Sequence, residues 1–388
     1  MRIFVLGAGG TGSLLAQLLE RQGHTVWCGD RNPERARRFL GKKSTIEVVE
    51  ANARNVWSIV RAGRGANLLV NASPAVFNKI ILRAALRLRA HYLDLNSHLT
   101  HHPFRPEQFR FDKQFAAKNR AAVICTGVAP GLTNLLAQRG AEMLNSVDSI
   151  HIRLFESTES SDPVSTWSAD VAYDAAISRP RIYRGGKFLL GKRFNEREKF
   201  RFPPPIGEVP VYLAAQDEVC MLPYVMKLKD VDAKIGGNDF ERLRRWYRQG
   251  RLHRSRGIVR KRFPETLTPR RVAKLIRKGV LENARFAAAV LVRGTKRDQP
   301  LIVRWDASFP TLYQIRQRGM ISTPIAYATA HLAAIFIKHF PRDSAGVVGP
   351  AALSAETRRA ILADARSRDF RISLKITRLK RHDDEEEF

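Results

Sequence analysis

Three glycines near the start of the chain have the spacing of a phosphate-binding turn. Gly7, Gly9 and Gly12 form a GxGxxG pattern directly after a short apolar run. The first glycine permits a tight turn, the second lets the backbone approach a pyrophosphate, and the third lets a helix pack closely on a strand. We expect Gly10 and Thr11 to lie in the same turn, with the phosphates at the N-terminus of the helix that follows.

A carboxylate follows this pattern at the distance that dinucleotide binding requires. Asp30 stands 18 residues after Gly12, at the end of a second apolar run, where a carboxylate accepts hydrogen bonds from ribose hydroxyls. This position favours NAD. Arg31 follows directly and Arg35 lies one helical turn further, and arginines there can hold the 2′-phosphate of NADP. The residues therefore predict a dinucleotide site, with NAD preferred and NADP possible.

Strands and helices alternate through the first 125 residues, which is the arrangement that such a site needs. The hydrophobic periodicity predicts strands over 3–6, 25–28, 46–49, 67–72, 92–95 and 122–125, and helices over 13–22, 33–39, 55–61, 77–89 and 106–119. This alternation predicts an α/β fold with a Rossmann-type doubly wound parallel sheet.

The alternation stops after a predicted helix over 132–144, and strands with irregular joins follow. Strands are predicted over 149–156, 181–183, 187–190, 209–213, 287–293 and 301–305, and helices over 240–247, 269–278, 323–339 and 355–368. We therefore expect a Rossmann domain over 1–128, a second α+β domain over 129–318, and helices over 319–380 ahead of an acidic tail over 381–388.

Composition excludes several classes of protein. The chain has 388 residues, 67 Lys+Arg against 37 Asp+Glu, and a formal net charge of +30. Its basic clusters are scattered and match no nucleic-acid-binding spacing, so a nucleic-acid partner is not expected. No apolar run is long enough for a membrane span, and the three cysteines form no CxxC pair. We expect a soluble, cytoplasmic protein without a metal site.

Polar and small residues follow three of the predicted strands at the edge where ligands of open α/β sheets bind. Asn71, Ala72, Ser73 and Pro74 follow the strand over 67–72 and leave room for the nicotinamide ribose, although they also suit an ordinary strand-to-helix turn. Asp94 and Asn96 end the next strand, and the segment TGVAPGLTN over 126–134 follows the last. Asp94 is equally suited to orienting a substrate amine or to accepting hydrogen bonds from backbone amides.

The sequence resembles the saccharopine dehydrogenase family, including its lysine 6-dehydrogenase-like and carboxynorspermidine dehydrogenase-like members. The likeness rests on VLGAGGTGSLLAQLL, VNASPAVFNKIILRAALRLRAHYLDLN, TGVAPGLTNLLA and RPRIYRGGK. The resemblance implies a Rossmann-type domain, a second domain that holds the substrate and often dimerises, and C-terminal helices that return to the first domain. It also implies hydride transfer between NAD or NADP and the C–N carbon of an amino acid or amine such as lysine.

The resemblance and the edge positions together suggest the site residues. Asp94, Asn96 and Thr126 are the candidate catalytic residues. The candidates for substrate binding are Gly131, Asn134, Trp167, Ser168, Arg179 and Arg181. Ser168 also suits the N-cap of a helix, and the two arginines suit a substrate carboxylate. The competing hypothesis is a dinucleotide-binding protein without catalysis, whose basic surface holds nucleic acid or an acidic partner.

Overall fold

The structure is a computed structural model that describes residues 1–98, 103–162, 164, 174, 176–251 and 267–379. Two sheets dominate it. Sixteen strands are described: β1 Arg2–Leu6, β2 Thr25–Asp30, β3 Glu47–Glu50, β4 Leu68–Asn71, β5 His91–Asp94, β6 Ala121–Val123, β7 Ser146–Ser160, β8 Arg181–Arg184, β9 Lys187–Leu190, β10 Glu198–Phe202, β11 Gly207–Leu213, β12 Asp230–Gly236, β13 Leu281–Lys296, β14 Gln299–Ser308, β15 Gly346–Val348 and β16 Arg371–Arg378.

The α-helices of the described residues surround these sheets. They are α1 Gly10–Arg21, α2 Pro33–Leu40, α3 Val56–Ala62, α4 Asn78–Leu88, α5 Asp112–Ala116, α6 Leu132–Ala141, α7 Asn238–Arg248, α8 Pro269–Arg277, α9 Leu312–Gln317, α10 Pro324–Lys338 and α11 Ala355–Ser367. None of these helices is long and apolar enough to cross a membrane. The helix predicted over 106–119 is split, because its first half is the 3-10 helix Glu107–Phe111 and only Asp112–Ala116 is α-helical.

The first sheet confirms the predicted doubly wound fold. Its seven strands are all parallel, in the order β15-β6-β5-β4-β1-β2-β3. Alternate residues of β1 point to opposite faces, so Ile3 and Val5 belong to one buried cluster while Phe4 and Leu6 belong to another. Both faces are therefore covered, as a parallel sheet requires.

The second sheet is mixed and confirms the expected second domain of α+β type. Its strand order is β10-β11-β12-β7-β13-β14-β16, and the hairpin β8-β9 pairs with β12. A buried charge network ties three of these strands together, since Arg153 donates to Asp232 at 2.6 Å and to Glu198 at 2.8 Å, and Lys234 also donates to Glu198 at 2.8 Å. The cationic partners hold the pKa values of both carboxyls below their ordinary range against the effect of burial.

The C-terminal segment serves both sheets, which corrects the expectation that 319–380 is a set of helices on the first domain. Helix α10 contacts α1 beside the first sheet and also β13 of the second, and twelve of its fifteen residues are buried. Strand β15 then joins β6, whereas β16 pairs antiparallel with β14. The predicted acidic tail over 381–388 lies outside the described residues.

Candidate active site

A cavity of about 490 Å³ runs along the carboxyl ends of the parallel strands and extends to the second sheet. The strand order of the first sheet determines the order in which side chains lie along the cavity. Residues after β3 and β2 lie at one end, the glycine turn after β1 follows, and residues after β4, β5 and β6 lead to the second sheet. The described lining residues from the second sheet and its loops include Leu154, Glu156, Gln216 and Phe286.

The glycine turn has the geometry that a dinucleotide phosphate needs. Gly7 has φ of +98°, and a Cβ there would meet the backbone of Ala72 and Ser73 at 2.8 Å. A Cβ on Gly12 would lie 1.9 Å from the Gly7 carbonyl oxygen. At Gly9, by contrast, a Cβ would meet no atom within 4 Å, so the backbone there faces open space. Because the first amides of α1 have no partner within the helix, they are available to an anion.

Asp30 is held at this end of the cavity by two backbone amides. Its Oδ2 accepts a hydrogen bond from Ala8 N at 3.0 Å, and its Oδ1 accepts one from Asn32 N at 2.9 Å. Each carboxylate oxygen keeps acceptor capacity for a ribose hydroxyl. Arg31, Arg35 and Arg54 line the same end. Asp30 and the glycine turn therefore fit the ribose and pyrophosphate of a dinucleotide.

Most of the residues predicted for the cofactor line the cavity, but Asn71 does not. Its side chain is fully buried, where Nδ2 donates to Asn78 Oδ1 at 2.8 Å and to Tyr92 Oη at 3.2 Å. The Asn71 Oδ1 accepts a hydrogen bond from Ser73 N at 3.0 Å. Because the polar atoms of Asn71 are used in these contacts, its buried side chain supports the turn after β4 and does not face the cavity. The predicted residues that line the cavity are Gly7, Gly9, Gly10, Thr11, Gly12, Asp30, Arg31, Ala72, Ser73, Pro74 and Asn96.

Asp94 and Thr126, expected to be catalytic, are completely buried and do not line the cavity. Asp94 Oδ1 accepts from Cys125 N at 2.7 Å, and Oδ2 accepts from Tyr92 Oη at 2.9 Å and Gln108 Nε2 at 3.1 Å. Thr126 Oγ1 donates to the Asp94 carbonyl oxygen at 2.8 Å. Burial raises the pKa of Asp94 to about 7, against the lowering effect of its three donors. Both residues link the end of β5 to the segment after β6 and are fully buried, so neither is in direct contact with a substrate in this structure.

The turn before α6, expected to offer amides to a substrate, is closed by its own contacts. Gly131 N donates to Asn134 Oδ1 at 2.9 Å, Leu132 N donates to the Gly127 carbonyl at 3.0 Å, and Thr133 N donates to the Val128 carbonyl at 3.0 Å. Gly131 and Asn134 are buried and lie outside the cavity lining. The loop reaches the cavity through Gly127, Val128 and Ala129 instead.

Neither of the predicted carboxylate-binding arginines reaches the cavity. Arg179 donates to the carbonyls of Leu190 at 2.6 Å and Gly191 at 3.3 Å, and Arg181 Nε donates to the Pro103 carbonyl at 2.8 Å. These contacts direct both guanidinium groups to the β8-β9 hairpin and its neighbours, away from the described lining of the cavity. Trp167 and Ser168 lie outside the described residues.

Glu156 is the residue that sequence reasoning missed. It lies on β7 opposite Phe286 of β13, it is only 5% exposed, and it lines the cavity. Its Oε2 has no hydrogen-bond partner among the described residues. Burial raises the pKa of Glu156 well above its ordinary range, and the nearby Asp239 carboxylate raises it further.

A signal for Glu156 is present in the sequence. Ile150, Ile152 and Leu154 alternate with polar residues, and Glu156 continues the same inward-facing parity. A carboxylate in that position is a candidate for function, because an unpaired buried charge is costly unless a ligand uses it. Among the described residues, no group of three or more His, Cys, Asp or Glu side chains is placed to hold a metal ion.

Fold and cavity together define an α/β dinucleotide-binding protein whose second domain contributes residues to the same cavity. Residues 3–123 match the family described as Saccharopine dehydrogenase NADP binding domain. This match to the first domain confirms the predicted resemblance to that family and the expected nicotinamide dinucleotide cofactor.

Two solved structures share the whole fold. The homospermidine synthase of Legionella pneumophila, in complex with NAD, is 14% identical with a TM-score of 0.73, covering 100% of this chain and 93% of that chain. The saccharopine dehydrogenase (L-Glu forming) of Saccharomyces cerevisiae is 12% identical with a TM-score of 0.69, covering 98% of this chain and 100% of that chain. At these identities the likeness shows the fold.

Proposed function

We propose that the protein transfers a hydride between a bound nicotinamide dinucleotide and a carbon that bears an amine nitrogen, with Glu156 taking up and returning the proton of that nitrogen. The observation that carries this proposal is the buried Glu156 carboxyl at the wall of the cavity, whose Oε2 has no hydrogen-bond partner among the described residues. When bound, the cofactor supplies the hydride acceptor or donor.

Removal of a hydride from a C–N carbon requires a free nitrogen lone pair, because that pair stabilises the electron-poor carbon. An alkyl ammonium has a pKa of about 10, so the substrate enters protonated and needs a base. The Glu156 carboxylate accepts one proton, which leaves a neutral amine and a neutral carboxylic acid. The carbon then loses hydride to become an iminium, which water hydrolyses. In the reductive direction the acid returns its proton to the amine.

The surroundings of Glu156 suit this role. Leu154 and Phe286 line the cavity beside it and limit access of water. Burial raises the pKa of the Glu156 carboxyl, which makes its carboxylate a stronger proton acceptor, as a general base must be. Asp239, which raises that pKa, is itself paired with Arg242 and accepts from Thr158 Oγ1 at 2.6 Å.

The decisive variant is Glu156→Gln, which keeps the shape and removes the base. We expect kcat to fall by at least about 100-fold while the Kd for reduced cofactor is unchanged. Absorbance of the reduced cofactor would be followed with lysine, saccharopine, diamines and polyamines. The matched control is Glu142→Gln, because Glu142 is paired with Arg139 and Arg358 and does not line the cavity. Wild-type turnover by Glu156→Gln would refute the assignment.

The competing hypothesis of a non-catalytic protein is not favoured, because the cavity joins a complete cofactor turn to an unpaired buried carboxyl. The preference for NAD over NADP, a homodimer, a cytoplasmic location and a role in lysine metabolism remain predictions. The closeness of Arg31, Arg35 and Arg54 to Asp30 supports keeping NADP as the second cofactor.

A further inference from the structure

A second concave surface lies on the side of helix α8 that faces away from the dinucleotide cavity. This basic groove has a volume of about 770 Å³. Five of its lining residues are cationic and one is acidic: Arg270, Arg271, Lys274, Arg277 and Lys278 against Asp162. All five cations are exposed. Five positive charges against one negative charge leave the groove with a surplus of four positive charges.

Helix α8 separates the basic groove from the dinucleotide cavity. Pro269 and Val272 line the cavity, whereas the five cations line the groove. With about 100° between successive residues, the four cations within the helix fall inside about 120° of its circumference, opposite Val272. Together with Lys278 they extend over about 12 Å of the helix axis. The groove is therefore a surface of its own and not a branch of the cofactor site.

The cations of α8 stand where they weaken the helix. Arg270 and Arg271 lie in its first turn, which holds no acidic residue, and cations there oppose the positive end of the helix dipole. Lys274 is four residues away from both Arg270 and Lys278, and like charges at this spacing repel each other. Local stability does not explain this arrangement, and residues that break local rules in this way are concentrated at functional sites.

Helix α7 shows how such charges are otherwise compensated. Its Arg242 pairs with Asp239 at 2.5 Å, and its Arg244 pairs with Glu241 at 3.1 Å. The five cations of the groove form no such pair with any residue that the structure describes. The residues that precede α8 and lie outside the described ranges, 252–266, contain five Lys or Arg and one Glu. They add positive charge to this part of the chain.

The acidic residues 383–387 of the same chain are too far along it to neutralise the groove. Leu379 N donates to the Pro300 carbonyl at 3.0 Å, and Pro300 pairs with Thr295 near the end of β13. Helix α8 lies at the other end of β13, about 45 Å away at the rise of an extended strand. Eight residues of chain after Leu379 span at most about 29 Å.

We propose that the basic groove on α8 binds a free oligophosphate, a ligand with three or more linked phosphate groups. A chain of three phosphates carries about four negative charges near neutral pH, which matches the surplus of the groove. Guanidinium and ammonium groups are the side chains that bind phosphate oxygens. This site is additional to the dinucleotide site and does not depend on the proposed hydride transfer.

The distribution of charge favours a small ligand over a strand of nucleic acid. The cations are concentrated on about 12 Å of one helix, so a single short chain of phosphates can contact all of them. Nucleic-acid sites spread their phosphate contacts along several nucleotides. A nucleic-acid ligand is therefore the alternative that the experiment must separate.

The test uses full-length protein saturated with NADH, so that a dinucleotide already occupies the glycine turn. Sodium tripolyphosphate would be titrated by calorimetry at low and at physiological ionic strength. The decisive variant combines Arg270→Gln with Lys274→Gln, which removes two charges four residues apart. The matched control combines Arg83→Gln with Arg87→Gln, because these exposed residues of α4 have the same spacing and line neither the cavity nor the groove.

We expect wild-type protein to bind one tripolyphosphate per chain, more weakly at the higher ionic strength. The Kd should rise by at least about tenfold in the variant of α8 and by less than about twofold in the control. Tripolyphosphate should raise the Tm of wild type and of the control, but not that of the α8 variant. Without ligand, the α8 variant should be at least as stable as wild type, because the repulsion within the helix is reduced.

Two results would overturn the site itself: wild-type protein that binds no tripolyphosphate, or an equal loss of binding in the α8 variant and in the control. The second result would mean that the general positive charge of the protein attracts the ligand. A third result would overturn the class of ligand. This is a single-stranded oligothymidylate that binds at least tenfold more tightly than tripolyphosphate and loses that binding in the α8 variant.

Discussion

Replacing Gly9 by alanine should remove cofactor binding and leave the fold intact. Gly9 precedes α1 with φ of −81° and ψ of −161°, a conformation that alanine adopts without strain. A Cβ there meets nothing within 4 Å. Because Gly9 lines the cavity, the added methyl group occupies the space that a phosphate needs to reach the amides of the turn.

The size of the effect follows from the contacts that would be lost. If the methyl group displaces a phosphate from two backbone amides, and each charge-assisted hydrogen bond contributes about 1.5 kcal/mol, the loss is about 3 kcal/mol. This corresponds to an increase of Kd by about 100-fold. The free energy of unfolding should change by less than about 0.5 kcal/mol, as is usual where no packed atom is disturbed.

Gly12→Ala is the contrasting variant, since its Cβ would lie 1.9 Å from the Gly7 carbonyl oxygen. The turn must move to relieve this overlap, and overpacking of this kind costs about 1–3 kcal/mol of stability. Binding would be measured by fluorescence titration with NADH and NADPH, and stability by urea unfolding. Wild-type affinity in Gly9→Ala would refute the proposed phosphate position. A Gly12→Ala protein as stable as wild type would refute the packing argument.

Three further variants test individual assignments. Asp30→Ala should raise the Kd of NADH much more than that of NADPH, because its carboxylate faces the ribose, and equal losses in fluorescence titration would contradict this. Asp94→Asn should lower Tm but leave kcat within about threefold, because Asp94 contacts other buried groups and not the cavity; a kcat loss of at least 100-fold at unchanged Tm would restore its catalytic role. Burial raises the pKa of Glu218 from 4.5 to about 7. Between these two values the folded state therefore binds more protons than the unfolded state. The free energy of unfolding should fall by up to about 3 kcal/mol as the pH rises through this window. Glu218→Gln should remove that part of the slope in urea unfolding between pH 5 and pH 8, and an unchanged slope would count against it.

The order of the first six strands, β1 to β6, was predictable because each element carries its own local signal, whereas the edge strand β15 was not predicted. Strands β1 and β2 are short apolar runs, α1 shows leucines at helical spacing, and the glycine pattern lies between strand and helix. Parallel strands joined by helices have few alternative arrangements. For the same reason the positions of Gly9 and Asp30 at the carboxyl edge followed from sequence.

Three strands of the second sheet, β10, β12 and β16, were not predicted from the sequence, and β12 and β16 show the physical reason. Strand β12 contains Asp232 and Lys234, which look like solvent-exposed residues in sequence but are buried by pairing with Arg153 and Glu198. Strand β16 is largely exposed and depends on pairing with β14. Neither strand has a hydrophobic pattern that reveals its partner.

The sequence by itself determined the class of fold, the cofactor turn and the family that the first domain resembles, because these depend on local periodicity and on glycine geometry. Only the tertiary structure decided which carboxyl lines the cavity beside the second sheet. Asp94 and Glu156 each end or follow an apolar strand pattern, yet Asp94 is enclosed by donors from neighbouring segments while Glu156 is left unpaired beside Phe286. The difference lies in contacts between residues far apart in the chain, which no local pattern records.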